Sequence, residues 1–150
     1  MDEVVEFLKR LDLFNGVPEA VLTQVAQLCR AQTYQPGETI IKIREPSENF
    51  YLIKEGTVQV TTNPAAADGD TVDGDWVRLT LGTGQIFGEM GLVDKGARSA
   101  TVRAVSETQV YAINCQQFLA ICDQSPVLGY RVMHNIAADL SFKLRQRNLI

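Results

Sequence analysis

The chain has 150 residues, a hydrophobic fraction of 45%, a charged fraction of 21% and a formal net charge of -4. This length fits one domain with a real core, and the composition is that of an ordinary soluble protein. The acidic balance argues against a dominant nucleic-acid surface, which needs a basic face. No apolar run is long enough for a bilayer, and the N-terminal segment carries acids where a secretory signal needs bases. We therefore expect a soluble, cytoplasmic protein without a membrane partner.

Residues 1–35 are predicted to form the N-terminal helices. Apolar side chains follow helical spacing in two segments, and the second helix is expected to begin at Pro18, because the N–H that proline lacks would be unsatisfied there anyway. The two apolar stripes consist of Val4, Val5, Phe7, Leu8 and Leu11, and of Val21, Leu22, Val25, Leu28 and Cys29. The turn signal at Gln35-Pro36-Gly37 then ends the helical pattern.

Residues 36–113 are predicted to form a β-roll. Short runs rich in β-branched and aromatic residues are separated by Gly or Pro clusters, which favours a β-sandwich or jelly-roll barrel with helices at both ends of the chain. The candidate strands are Thr39–Arg44, Asn49–Lys54, Thr57–Thr61, Trp76–Leu81, Ser99–Ala104 and Thr108–Ile113. The acidic loop Asn63–Asp75 is interpreted as a hairpin tip, too short to be a domain linker. It faintly resembles a calcium loop but lacks the bidentate glutamate at the far end.

Residues 114–150 are predicted to form the C-terminal helices. Asn114 with Gln117 resembles a capping box for a short helix, and Ser125-Pro126 is typical of the start of a longer one. The longer helix carries an apolar stripe that could serve the core, a lid or a partner helix: Leu128, Val132, Met133, Ile136, Leu140 and Leu144. The single histidine, His134, has no metal-ligand partners at useful spacing.

The stretch Phe87–Ala104 carries the chemistry. Gly88 allows close approach of a ligand to the backbone, and the amides around Glu89 and Met90 can face an anion at the start of a short helix. Arg98 supplies a permanent forked cation suited to phosphate, whereas the Glu89 carboxylate suits sugar hydroxyls. The stretch therefore predicts a site for a compact ligand that carries both a sugar and a phosphate.

These and neighbouring residues also admit other interpretations. Glu89 and Arg98 could instead form a structural ion pair. The glycines of 82–88 do not have the dinucleotide-binding spacing, and they are interpreted as turn glycines. No serine, cysteine or carboxylate pair stands with a histidine in a catalytic arrangement, so we expect no enzyme, no catalytic residue, no metal and no cofactor. The three cysteines, Cys29, Cys115 and Cys122, are interpreted as reduced thiols.

Phe-Gly-Glu-Met-Gly-Leu followed by Arg-Ser-Ala-Thr resembles the phosphate-binding cassette of cyclic-nucleotide-binding domains. These domains occur in protein kinase A regulatory subunits, cyclic-nucleotide-gated channels and the bacterial catabolite activator protein. The resemblance extends to the segments 36–38, 50–53 and 55–58 and to the helical ends. It implies a stand-alone domain over 1–150, with an eight-stranded jelly-roll β-barrel (a double-stranded β-helix), a cassette at 86–102 and a C-terminal lid or hinge helix pair.

The resemblance also implies roles for individual residues. Glu89 would bind the ribose 2′-hydroxyl and Arg98 the cyclic phosphate. The Gly88 amide would assist at the sugar, and the Ser99 hydroxyl and the Ala100 amide at the phosphate. The full set of expected ligand-binding residues is Phe87, Gly88, Glu89, Met90, Arg98, Ser99 and Ala100.

Two further expectations concern the regions outside the cassette. By rough alignment, Asp139 and Lys143 on the last helix are the polar candidates near the purine base. The chain departs from the family at Arg44, where a glycine is usual in the turn before Glu45. We expect this departure to bear on the shape of one distal hairpin and to leave the cassette untouched.

Together these features predict a sensing module that binds cyclic AMP in preference to cyclic GMP and moves its C-terminal helix in response. Two alternatives remain open. One is a ligand-independent module that forms a homodimer through the C-terminal helix or docks onto an effector protein. The other is the sensor domain of a cyclic-AMP-responsive transcription factor, although no helix-turn-helix follows the last helix within the 150 residues.

Overall fold

The computed structural model describes residues 2–62, 78–94 and 96–146, except for the side chains of residues 78, 143 and 146. The chain divides into two compact units. The helical unit comprises Met1–Cys29 and Gln116–Ile150, and the β unit comprises Arg30–Cys115. The acidic loop Asn63–Asp75 lies outside the described residues.

The helical unit is built from both ends of the chain. Its helices are α1 (Asp2–Lys9), α2 (Glu19–Ala26), α3 (Cys115–Gln124) and α4 (Pro126–Gln146), with a short 3₁₀ turn at Asp12–Phe14. The Phe14 and Phe118 rings pack 6.3 Å apart, and the Asn135 side-chain amide donates to the carbonyl of Leu13 over 2.8 Å. The 3₁₀ turn and α4 are therefore joined by a polar bond within this unit.

Proline marks the start of two helices. α4 begins at Pro126, as predicted, whereas α2 begins at Glu19, one residue after the expected Pro18. α2 also ends earlier than its apolar stripe suggests, because the amides of Leu28 and Cys29 donate three residues back in a tight turn. This turn brings the chain out of the helix directly before the first strand.

The β unit contains eight strands among the described residues. They are β1 (Arg30–Tyr34), β2 (Thr39–Ile41), β3 (Asn49–Glu55), β4 (Thr57–Thr61), β5 (Arg78–Gly82), β6 (Ile86–Phe87), β7 (Thr101–Ala104) and β8 (Thr108–Asn114). They form two four-stranded sheets, with orders β1-β8-β3-β6 and β2-β7-β4-β5, and every pairing is antiparallel. A mainly β chain with flanking helices is thus confirmed.

The closed barrel expected from sequence is not formed. Within the described part of the chain, no backbone ladder joins one sheet to the other. The edge strands β2 and β6 are only three and two residues long, so their edges offer few groups for a continuous ladder. The sheets instead share one apolar core: Ile41, Tyr51, Ile53, Val58, Leu81, Phe87, Val102, Val110 and Ala112.

Two strands had no counterpart in the sequence analysis. β1 lies inside the segment assigned to helices, and it pairs with β8 from Arg30↔Ala112 to Tyr34↔Thr108. Its residues are exposed or half-buried, so it lacks the apolar alternation that signals a strand. β6 is too short to show any period. Among the residues that the structure describes, no helix combines the length and hydropathy needed to cross a membrane.

Candidate functional site

The predicted cassette lies within the β unit and contains a left-handed glycine. Gly88 has φ 78° and ψ 6°, and it links β6 to a 3₁₀ turn at Glu89–Leu92. A Cβ atom added to Gly88 would lie 3.0 Å from Nη1 of Arg98 and 3.1 Å from the carbonyl oxygen of Asn49. Glycine is therefore favoured here both by the left-handed backbone conformation and by the limited space beside the arginine.

The guanidinium of Arg98 is held by backbone carbonyls. Its Nη1 donates to the Gly88 oxygen over 3.1 Å, and its Nη2 donates to the Asn49 oxygen in a short hydrogen bond. A guanidinium has five N–H donors, so these two bonds fix its plane and leave donors for an anion. Both acceptors are neutral, and they orient the cation without cancelling its charge.

Asn49 is a site residue that the sequence analysis did not identify. It begins β3, and besides accepting from Arg98 through its carbonyl, it accepts from Nη2 of Arg30 through its side-chain oxygen over 3.1 Å. The contact to Arg98 uses a main-chain oxygen, which every residue type has. No residue preference in the sequence could have indicated it.

The structure brings the other predicted cassette residues together on the same short segment but gives their side chains different surroundings. Glu89 is 7% exposed, whereas Met90 is 49% exposed. Phe87 is buried in the core and stacks on Tyr51 with ring centroids 4.9 Å apart, so its route to a ligand is through the backbone. The side chain of Glu89 is therefore largely shielded from solvent, and its role in binding hydroxyl groups remains a prediction.

Ser99 and Ala100 follow Arg98 directly, before β7. Ser99 is exposed and Ala100 is half-buried. The Ser99 hydroxyl is thus accessible to a ligand that reaches Arg98, and their roles in binding phosphate remain predictions.

The turn around Arg44 is connected to the cassette, contrary to the expectation from sequence. Arg44 adopts φ 76°, so the left-handed turn forms without a glycine. Its amide donates to the carbonyl of Arg98 over 2.8 Å, and the amide of Arg98 donates to the carbonyl of Glu45 over 2.7 Å. The expectation was wrong because residue type alone does not show tertiary contacts, and these two backbone bonds join segments more than fifty residues apart in the sequence.

The two candidates for base recognition belong to the helical unit. Asp139 lies half-buried on α4, and the side chain of Lys143 lies outside the described residues. Their contact with a purine remains a prediction.

Cys115 is a neutral neighbour of the cassette. Burial raises the pKa of its thiol, and the positive charge of Arg98 opposes part of that rise. A Cβ on Gly91 would lie 3.2 Å from the Cys115 sulfur, which shows how tightly the 3₁₀ turn packs there.

Within the described ranges, no group of three or more His, Cys, Asp or Glu side chains is placed to hold a metal ion. The arrangement is one that can bind an anion and neighbouring hydroxyl groups.

The contact between Gly88 and Arg98 predicts a specific loss of stability. Gly84 has a similar φ of 86°, but a Cβ there would meet nothing within 4 Å. Gly84→Ala should therefore lower the free energy of unfolding by about 1 kcal/mol, from the backbone conformation alone. Gly88→Ala should lower it by about 1–2 kcal/mol more, because the new Cβ crowds Arg98 and Asn49. Urea denaturation of both variants measures the difference, and equal losses would show that the space around Gly88 is not restricted.

Several known proteins are similar to this chain. A cyclic nucleotide-gated potassium channel of Mesorhizobium japonicum is 31% identical over 125 residues, which are 83% of this chain and 31% of the channel. The cyclic AMP receptor protein of Thermus thermophilus is 29% identical over 142 residues, 95% of this chain and 61% of that protein. The chain therefore spans less than two thirds of the length of these relatives.

A solved structure shares the fold of this chain. The crystal structure of the Thermus thermophilus catabolite activator protein matches with a TM-score of 0.72 and 29% identity, over 92% of this chain and 60% of that one. Residues 31–125, from the first strand to the end of α3, match the family described as cyclic nucleotide-binding domain. That family is regulatory, and its domain is not itself catalytic. On this match, the chain belongs to the cyclic nucleotide-binding domain family.

Proposed function

We propose that this chain is a sensing module that binds a cyclic purine mononucleotide, cyclic AMP in preference to cyclic GMP, in its β unit. The observation that carries the proposal is the guanidinium of Arg98, which the carbonyls of Gly88 and Asn49 orient. The same cassette carries the buried carboxylate of Glu89. An oriented cation and a carboxylate on one short segment suit a ligand with a phosphate and free hydroxyl groups.

Arg98 and Glu89 contact different parts of the ribose phosphate. Arg98 binds the cyclic phosphate, with the Ser99 hydroxyl and the Ala100 amide as further donors. Glu89 accepts from the ribose 2′-hydroxyl, and the Gly88 amide assists at the sugar. Because Glu89 would be repelled by a phosphate at close range, its natural partner is the sugar, and the ligand binds in one orientation.

Calorimetric titration tests this assignment. Arg98→Ala should weaken the binding of cyclic AMP at least about tenfold, because a charge-assisted contact to a partly buried anion is worth about 1.5–3 kcal/mol. Arg98→Lys keeps the charge but loses the forked guanidinium that the two carbonyls orient, so this variant should also bind cyclic AMP more weakly than the wild type. Arg10→Ala removes an equal charge at the end of α1 and serves as the matched control, with affinity unchanged.

Two outcomes would contradict the assignment. An unchanged affinity for Arg98→Ala would rule out the phosphate role. An absence of heat with both cyclic AMP and cyclic GMP at high micromolar ligand, with the protein folded, would reject the proposed function as a whole.

The choice between the two nucleotides depends on Ser99. Its exposed hydroxyl can accept from the exocyclic amino group that guanine carries and adenine lacks at C2, which moderates the preference for cyclic AMP. In a competition assay, cyclic AMP should displace a fluorescent analogue at lower concentration than cyclic GMP, and Ser99→Ala should widen the gap by a few fold. An equal or reversed order for the wild type would contradict the preference.

The response to the ligand is assigned to the C-terminal half of α4. The first half is anchored within the helical unit, where Leu128, Val132 and Ile136 are buried. After Ile136 no described residue of α4 is buried, and Phe142 is 62% exposed. A helix with one anchored and one exposed half supports a movement of its free end, which would cover the purine through Asp139 and Lys143.

Hydrogen exchange measured by mass spectrometry checks this movement. Cyclic AMP should slow exchange in peptides covering 137–146 as well as in those covering 86–102, because the free half of α4 becomes ordered on binding. Arg98→Ala under the same conditions should lose both effects. Slower exchange confined to 86–102 would show that the helix does not respond.

A second candidate function is dimerisation or docking through α4. Its exposed face carries Val127, Tyr130, His134 and Ala137 at three- and four-residue spacing, and Leu144 is exposed two turns further on. Tyr130 is 63% exposed and stacks on His134, so the face presents aromatic surface. Sizing with and without nucleotide separates the two candidates, since a dimer that forms without any affinity for nucleotide favours docking.

A further inference from the structure

The turn between β2 and β3, defined here as residues 43–47, is fastened to the segment that carries Arg98. Besides the two backbone bonds between Arg44, Arg98 and Glu45, the Ile43 amide donates to the Thr101 hydroxyl over 3.0 Å. The Ser47 hydroxyl donates to the Gly96 carbonyl over 2.9 Å. This turn therefore determines where the backbone of Arg98 lies, at both of its peptide groups.

Arg44 is the strained point of the turn. Among the described residues it alone combines a positive φ, of 76°, with a side chain. A long side chain in the left-handed region is uncommon, and such conformations persist when the surrounding structure enforces them. Here the surrounding contact is the hydrogen bond from the Arg44 amide to the Arg98 carbonyl.

We propose that Arg44 is a positioning residue: its left-handed backbone holds Arg98 in register for the ligand anion, and its charge has no part in this. The side chain of Arg44 is exposed, whereas its backbone is bonded to the cassette. The effect of Arg44 on ligand affinity rests on the proposed function of Arg98. The structural connection between the turn and Arg98 is independent of that function and can be measured without a ligand.

The first experiment measures amide exchange by NMR in the ligand-free protein. Arg44→Val places a β-branched residue where φ is positive, which such residues strongly disfavour, so the turn should open. The protection of the Arg98 amide should then fall at least about tenfold, while that of the Ala104 amide, bonded to Glu38 at the other end of β7, should stay unchanged. Arg44→Gly permits the same φ without a side chain and should keep the protection of Arg98.

The second experiment compares affinities for cyclic AMP by calorimetry, at a temperature where every variant is folded. Arg44→Val should bind at least about fivefold more weakly, and Arg44→Gly should stay within about twofold of the wild type. Arg44→Lys keeps the charge and should also match the wild type. If Arg44→Gly loses affinity while Arg44→Lys keeps it, the charge is what matters and the proposal is overturned.

A variant in the segment bonded to the turn provides a second test in case Arg44→Val does not fold. Thr101→Val is close to isosteric and removes the hydroxyl that accepts from Ile43, so it loosens the turn independently and should reduce the protection of the Arg98 amide. Normal protection of Arg98 in Thr101→Val, or in a folded Arg44→Val, overturns the proposal. If the wild type binds no cyclic nucleotide, the proposed function fails, and the exchange data still decide whether the turn holds Arg98.

Discussion

The hydrogen bonds of the Arg98 guanidinium to two backbone carbonyls are the constraint on which the site depends. One acceptor, Gly88, follows β6, and the other, Asn49, begins β3. β3 and β6 are neighbours in one sheet, whereas Arg98 leads into β7 of the other. The arginine can make both bonds only if the two sheets are correctly packed, so the shared apolar core and the polar site stabilise the same arrangement.

The two carbonyls that accept from Arg98 are neutral, and this matters for the binding of an anion. A carboxylate in their place would orient the guanidinium but would also compete with an incoming anion for its charge. Main-chain carbonyls orient it while the charge remains available, and the surrounding burial strengthens any contact that an anion makes. The glycine at position 88 follows from this arrangement, since a Cβ there would occupy the space of the arginine and of the Asn49 carbonyl.

The sequence predicted those parts of the structure that depend on residue type or period. The cassette has distinctive residue types at Gly88, Glu89 and Arg98, and most strands are short runs rich in β-branched and aromatic residues. β1 was missed because it packs without apolar alternation, and Asn49 because its role belongs to a main-chain oxygen. The turn at Arg44 shows a third reason. Its residue type argued for a change of shape, but tertiary hydrogen bonds to Arg98 hold the left-handed conformation despite the side chain.

The central claim is that Arg98, held by Gly88 and Asn49, binds the phosphate of a cyclic nucleotide. A crystal structure of the chain with cyclic AMP tests it most directly. The account predicts a phosphate oxygen within about 3 Å of an Arg98 guanidinium nitrogen, and the ribose 2′-hydroxyl within a similar distance of the Glu89 carboxylate. Both carbonyl bonds of Arg98 should persist. A nucleotide bound with its phosphate away from Arg98, or an Arg98 that leaves Gly88 and Asn49 to reach it, would contradict the account.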